Sequence, residues 1–230
     1  MPLLSRQAAI AAQAFGLNGN IKVKFAKQEY TTAGSYTFTV PPGNTSLIIT
    51  ASGGGASGQY SYFANGNWTQ LNGGAGSNTT VTNSVFNITA NGGAGGYNGA
   101  AGGTVSITGA TSTTLNQTGG SPSGGTGGSS YYGSGASGPG GSFSRPATPT
   151  YSAGGGAGFQ NSGGSPTPPN NYGGSAGGTG IIVVSVIPGQ VINITVGAGA
   201  TGGSVDYTKG SNYGSYAGNG GVGYAAIEMS

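Results

Sequence analysis

Gly180-Ile-Ile-Val-Val-Ser-Val-Ile-Pro-Gly-Gln-Val-Ile-Asn-Ile-Thr-Val-Gly197 is the stretch that decides the fold class. Its halves, IIVVSV and VINITV, are rich in β-branched residues, which are stiff at χ1 and pack well on a pleated, buried surface. Pro188-Gly189 between them cannot continue either strand, so the stretch reads as a hairpin of two core strands. Outward from it, Tyr36–Val40 alternates, Pro41-Pro42-Gly43-Asn44 turns the chain, and Leu47–Thr50 resumes an apolar strand. Ile21–Phe25, Thr79–Val81, Val85–Thr89, Thr104–Thr108 and Gly223–Met229 complete the expected strands. Only Leu3–Phe15 reads as a helix, with Leu3, Ala8, Ala11, Ala12 and Phe15 on one face and Gly16 placed to stop it.

Between the strands run glycine-rich tracts over residues 52–76, 91–103, 119–180 and 197–221. With 53 Gly and 11 Pro in 230 residues, a structureless chain is the compositional default. The strong β segments oppose that default. No Gly-X-Y period runs through the tracts, which excludes collagen. Backbone without Cβ atoms approaches closely enough for direct main-chain hydrogen bonding, an arrangement that offsets glycine's entropy cost only when many contacts form together. The expected fold is therefore all-β. It has a β-sandwich or jelly-roll-like core from both ends of the chain, long glycine-rich loops, partly polyproline-II-like, and a short N-terminal helix. Residues 1–20 read as a terminal segment and residues 21–230 as one domain.

The chemical inventory is sparse. The chain has no His and no Cys, six Lys and Arg, and three acids, Glu29, Asp206 and Glu228, for a net charge of +3. Triads, tuned acid–base pairs and transition-metal sites draw on residues that are missing here, so the expectation is a protein that is not an enzyme, with no cofactor and no metal. No dense basic stripe exists; Lys22, Lys24 and Lys27 read as a solvated strand face, so no nucleic-acid partner is expected. No apolar run reaches membrane-spanning length, so no membrane insertion is expected. No Gly-Lys-Ser/Thr follows any glycine-rich tract, which removes the phosphate-loop reading.

The run Tyr36-Thr-Phe-Thr-Val-Pro-Pro-Gly-Asn-Thr-Ser-Leu-Ile-Ile-Thr50, leading into Gly53-Gly-Gly55, resembles the opening of glycine-rich tail proteins of tailed bacteriophages. Val186-Ile-Pro-Gly-Gln-Val-Ile-Asn-Ile-Thr-Val-Gly-Ala-Gly199 and Gly223-Tyr-Ala-Ala-Ile-Glu228 are similar to later units of the same family. Pro2-Leu-Leu-Ser-Arg6 with Phe15-Gly16 resembles the start of phage virion fibre proteins. These matches cover about a third of the chain. The resemblance implies a virion structural protein of the tail fibre or spike type, localised on the particle surface, often a homotrimer, bound to other virion proteins and presenting loops to a host receptor. In that frame Leu3, Leu4, Arg6, Ile10 and Phe15 are the candidate virion-docking residues.

Aromatic side chains interrupt the glycine-rich tracts: Tyr60, Tyr62, Phe63, Trp68, Tyr131, Tyr132, Tyr151, Phe159, Tyr172, Tyr207, Tyr213 and Tyr216. Flat amphipathic rings on adaptable Gly/Ser/Asn backbone suit binding loops, and sugar rings stack on such faces, which makes host cell-surface glycan the expected partner. The competing reading packs the same rings on neighbouring glycine backbone. Two other roles stay open: an architectural capsid decoration or head fibre without receptor binding, and a polysaccharide depolymerase, which requires two carboxylates about 5–10 Å apart in a groove.

Overall fold

The computed structural model describes residues 27–97, 100–123, 125–136, 150–157, 171–204 and 216–229. The expected N-terminal helix, the Ile21–Phe25 strand and the docking set Leu3, Leu4, Arg6, Ile10 and Phe15 lie outside the described residues. Within them the protein is all-β, with strands β1 (Gln28–Tyr30), β2 (Gly34–Thr39), β3 (Ser46–Ser52), β4 (Tyr60–Ala64), β5 (Asn67–Leu71), β6 (Thr79–Thr82), β7 (Asn87–Ala90), β8 (Val105–Thr108), β9 (Ser112–Gln117), β10 (Thr179–Ser185), β11 (Val191–Val196) and β12 (Tyr224–Met229). Two antiparallel five-stranded sheets, β1-β12-β3-β10-β9 and β2-β11-β6-β7-β8, pack as a β-sandwich, and β4-β5 forms a separate hairpin.

Alternation in β6, β7 and β11 turns one side of each of these strands inward, while β3 and β12 are buried on both faces over most of their length. Leu47, Ile49, Ile182, Val184 and Ile227 of the first sheet meet Phe38, Val81, Ile88, Ile192 and Ile194 of the second, all buried in one cluster. Each such side chain contributes about 1.5–3 kcal/mol when taken fully from water. The apolar stretches around Pro41-Pro42 and Pro188-Gly189 do not form hairpins. In each case the two flanking strands lie in opposite sheets, β2 against β3 and β10 against β11. The physical reason is that strands with a buried apolar face fill both layers of a sandwich, and the turns serve as arches between layers. The two arches interlock: Val40 N–H donates to Gln190 O at 2.9 Å, Gly189 N–H to Val40 O at 2.8 Å and Val186 N–H to Thr45 O at 3.0 Å.

The described segments of the glycine-rich tracts that adjoin the sandwich strands are not loops displayed from the sandwich. They continue its strands as a second, differently built core. Residues 53–59 run on from β3, 91–96 from β7 and 197–203 from β11, while 72–78, 171–178 and 217–223 lead into β6, β10 and β12. The hydrogen bonds of residues 53–59 repeat every three residues. Gly53, Ala56 and Gln59 N–H donate to Gly178, Ser175 and Tyr172 O; Gly54 and Ser57 donate to Ser77 and Gly74 O; Gly55 and Gly58 donate to Gly221 and Gly218 O. The carbonyls follow the same period, with Gly54 O and Ser57 O accepting from Gly93 and Gly96, Gly55 O from Ala200, and Ala56 O from Gly155. Residues 53–59 thus touch six neighbours in turn. The three partners they donate to run antiparallel, since the partner numbers fall as 53–59 rise. A three-residue repeat is that of polyproline II, which has no hydrogen bonds of its own and must find them in neighbours.

Glycine is required here by space and not by torsion. None of the glycines in these segments has a positive φ, yet a Cβ on Gly54, Gly55, Gly155, Gly174 or Gly220 would come closer than 3.0 Å to a neighbouring carbonyl oxygen. Where bundle meets sandwich, the strand ends carry buried hydroxyls: Ser52 Oγ and Thr179 Oγ1 lie 2.6 Å apart, and Gly197 N–H donates to Thr79 Oγ1 at 3.0 Å.

The register gives the molecule two unlike ends. The arches, the Asn83–Phe86 turn and the Gly109 turn all close one end of the sandwich, and β1 and β12 have Gln28 and Met229 at that same end. The β4-β5 hairpin and Tyr97 follow bundle segments and so lie at the far end.

Substituting Gly55→Ala or Gly174→Ala is expected to cost at least about 2 kcal/mol in denaturant unfolding, because backbone must move to admit the methyl group. Gly125→Ala, where a Cβ meets only the Ala157 methyl at 3.9 Å, should change stability by less than about 1 kcal/mol.

Candidate functional site

The aromatic residues separate into two groups. At the far end, β4 and β5 pair around the Asn65-Gly66 turn, with Asn65 at φ 51° and Gly66 at φ 80°, as a tight two-residue hairpin turn demands. Phe63 and Trp68 are cross-strand partners with ring centroids 5.3 Å apart. Phe63 is buried, while Tyr60, Tyr62, Trp68, Tyr172 and Tyr216 are half-buried. The hairpin is tied to the bundle by amides: Asn171 Nδ2 donates to Ser61 Oγ at 3.0 Å, Gln70 Nε2 to Asn171 Oδ1 at 3.3 Å, Gln59 Nε2 to Asn72 Oδ1 at 3.3 Å, and Tyr172 N–H to Gln59 Oε1 at 3.2 Å. Such a base holds the hairpin on the rigid bundle while Leu71 and Tyr97 present apolar surface. Phe159, Tyr207 and Tyr213 lie outside the described residues.

The second group gathers elsewhere. The turn at 130–133 is closed by Ser130 N–H donating to Gly133 O at 2.8 Å, and Ser130 Oγ donates to Tyr151 O at 2.8 Å. This places Tyr131, Tyr132 and Tyr151 beside Tyr224, the first residue of β12, at the junction of bundle and sandwich. Tyr132 lies 4.7 Å and Tyr151 5.5 Å from the Tyr224 ring, and Tyr131 meets Tyr132 edge-on at 5.2 Å. Tyr224 was hidden from sequence reasoning because it sits in a strand and not in a glycine-rich tract. Its signal was its place as the outward-facing residue before Ala225.

Charge joins this group. Tyr224 Oη donates to Glu29 Oε1 at 2.6 Å, Lys27 Nζ lies 3.1 Å from the same oxygen, and Lys27 stands 5.5 Å from the Tyr224 ring centroid. The Tyr224 hydrogen bond, then Lys27, hold the Glu29 carboxyl below its ordinary value. Lys27 is raised, first by Tyr224 and also by Glu29. Burial pushes the Tyr132 and Tyr224 hydroxyls up.

The carboxylates bear on the depolymerase reading. Pairing of Glu29 with Ala226 puts Glu29 and Glu228 at diagonal positions on the outer face of adjacent strands. Glu29 is nevertheless bonded to Tyr224, on the other side of Ala226 from Glu228, and its lowered pKa is the reverse of what a general acid needs. Asp206 lies outside the described residues, and among the described residues no group of three His, Cys, Asp or Glu is placed to hold a metal ion. No described helix is long and apolar enough to cross a membrane. Compared with known protein families, characterised proteins and solved structures, the chain matches none of them.

The Lys27–Glu29–Tyr224 group sets a pH response. A lowered carboxyl contributes stability that is present above its ordinary value of 4.5 and lost as pH falls through the folded value. Raised Lys27 contributes below its ordinary 10.5 and loses that contribution as pH rises through its folded value. Raised Tyr224 keeps its proton in the fold, so stability declines as pH climbs past 10.0. Glu29→Gln should lower the thermal midpoint at neutral pH, with the gap to the parent closing in acid as Glu29 itself becomes protonated. A gap that persists undiminished at about pH 2, below the ordinary carboxylate range, would contradict the assignment.

Proposed function

We propose that this chain is a virion structural protein of a tailed bacteriophage, a fibre or spike-type subunit that attaches the particle to glycan on the host surface. The observation that carries the reading is the polarity of the fold. A cross-linked backbone bundle forms a stiff pedestal, with aromatic-bearing loops at its far end and the chain's entry into β1 and exit from β12 at the opposite end. An appendage fixed at one end and probing with the other has this layout. Sequence resemblance to phage glycine-rich tail proteins points the same way, and with it come the homotrimer, the virion partners and the Leu3–Phe15 docking segment as parts of the proposal.

The contact chemistry follows from composition. A chain in which 4% of residues are charged binds through ring stacking and hydrogen bonding, not Coulomb attraction. The purified protein in its native oligomer should bind saturably to a subset of bacterial strains, and the bound amount should stay within about twofold between roughly 50 mM and 500 mM salt. Replacing Tyr62, Trp68 and Tyr97 together with Ala should abolish cell binding while leaving the unfolding transition in place. Absence of binding to every strain tested would turn the assignment toward a purely architectural subunit.

A further inference from the structure

The flank of the bundle holds a groove of about 530 Å³ between residues 150–151, 199–201 and 219–222. It is separate from the far-end loops, and its volume falls in the range of small-molecule sites. Gly199, Ala200 and Gly220 line it, the first two half-buried and Gly220 buried. One wall is Tyr151, which also packs against Tyr224 and keeps about a third of its surface, 36%, exposed. Thr150 and Thr201 add hydroxyls and Asn219 a carboxamide. Among the described residues, none of those lining it is charged.

The hydrogen-bonding inventory of this groove is unusual for the bundle. At 53–59 every amide is used. Along the groove the main-chain N–H and C=O of Gly199, Thr201 and Asn219 make no hydrogen bond to other described residues. Asn219 is held in place because its Oδ1 accepts from Gly202 N–H at 2.7 Å, and among the described residues its Nδ2 has no acceptor. The result is a set of donors and acceptors beside one aromatic face, on segments tied to the bundle by Ala200 N–H donating to Gly55 O and Gly220 N–H donating to Ala200 O.

The geometry points to a second ligand site here, for a neutral oligosaccharide: a sugar ring seats on Tyr151 while its hydroxyls bond to Asn219 Nδ2, the Thr201 hydroxyl and the main-chain groups of Gly199, Thr201 and Asn219. Sugar hydroxyls both donate and accept, which matches a mixed main-chain inventory. None of the described lining residues is a cation that would favour an acidic sugar, and Lys27 is already engaged by Glu29. The site stands whether or not the protein belongs to a virion.

Its test uses maltotriose and the N-acetylglucosamine trimer as neutral probes and a trimer of galacturonic acid as the charged one, measured by saturation-transfer NMR and calorimetry on the full chain. The expected result is millimolar or tighter binding of at least one neutral trimer, insensitive to salt. Thr201→Tyr, on an exposed residue, blocks the groove without touching its packing and should remove binding. Tyr151→Ala should weaken it at least tenfold. Trp68→Ala at the far end should leave it unchanged. No binding of either neutral trimer would overturn the inference, as would equal binding of the acidic trimer, or binding that survives Thr201→Tyr and is lost in Trp68→Ala.

Discussion

The structure depends on one interaction, the hydrogen bond from a main-chain N–H of one extended segment to the carbonyl of another at a separation no Cβ permits. Polyproline-II-like chain has no internal hydrogen bonds. In a buried position its polar groups must be met by neighbours or the segment is expelled to solvent. Glycine removes the obstacle to that meeting, and the three-residue repeat delivers it to several neighbours at once. Residues 53–59 show the consequence, with donors to three antiparallel segments and acceptors serving three more.

The two cores divide the labour. The sandwich is held by conventional apolar burial, with Ile49, Ile88, Ile182, Ile192, Ile194 and Ile227 fully enclosed. Among the described residues the bundle buries no aliphatic side chain larger than alanine, with Ala56, Ala153, Ala176 and Ala217 enclosed, and gains instead from many mutually dependent main-chain bonds, so its order stands or falls as a unit. Strand continuity couples the two: β3, β10 and β12 lie side by side in one sheet, and their glycine-rich continuations 53–59, 171–178 and 217–223 remain neighbours in the bundle. The sandwich sets the register that the bundle's bonding requires. On this base the far-end hairpin and the flank groove are carried by hydrogen-bonded backbone, which would hold their polar groups in place for the ligands proposed above.

Much of this was legible in the sequence. Alternation and β-branching located β2, β3, β6, β10, β11 and β12 closely, because burial on one strand face writes itself into a two-residue pattern. What alternation does not encode is which layer a strand joins, and so the Pro-Gly connections read as hairpins although they arch between sheets. β4 and β5 were missed because Asn-Gly with aromatic flanks sits inside a tract dominated by glycine, and β9, Ser112–Gln117, is an exposed edge with little apolar signal. The glycine-rich tracts carried only half of their meaning. Composition said that backbones could approach closely, but the three-residue order of partners is a tertiary fact. The split of the aromatics is likewise tertiary: Tyr131, Tyr132 and Tyr151 reach Tyr224 because the 130–133 turn folds back to the junction, and Glu29 with Lys27 joins them across the β1-β12 pairing.

The central claim, that the described glycine-rich segments form a hydrogen-bonded core and not displayed loops, is tested most directly by residue-resolved amide hydrogen exchange. The account predicts that every amide from Gly53 to Gln59 is protected to the same degree as those of β3, while Gly199 and Thr201 exchange quickly in the same molecule. Exchange of Gly53–Gln59 at the rate of an unstructured glycine-rich peptide, with β3 still protected, would contradict it.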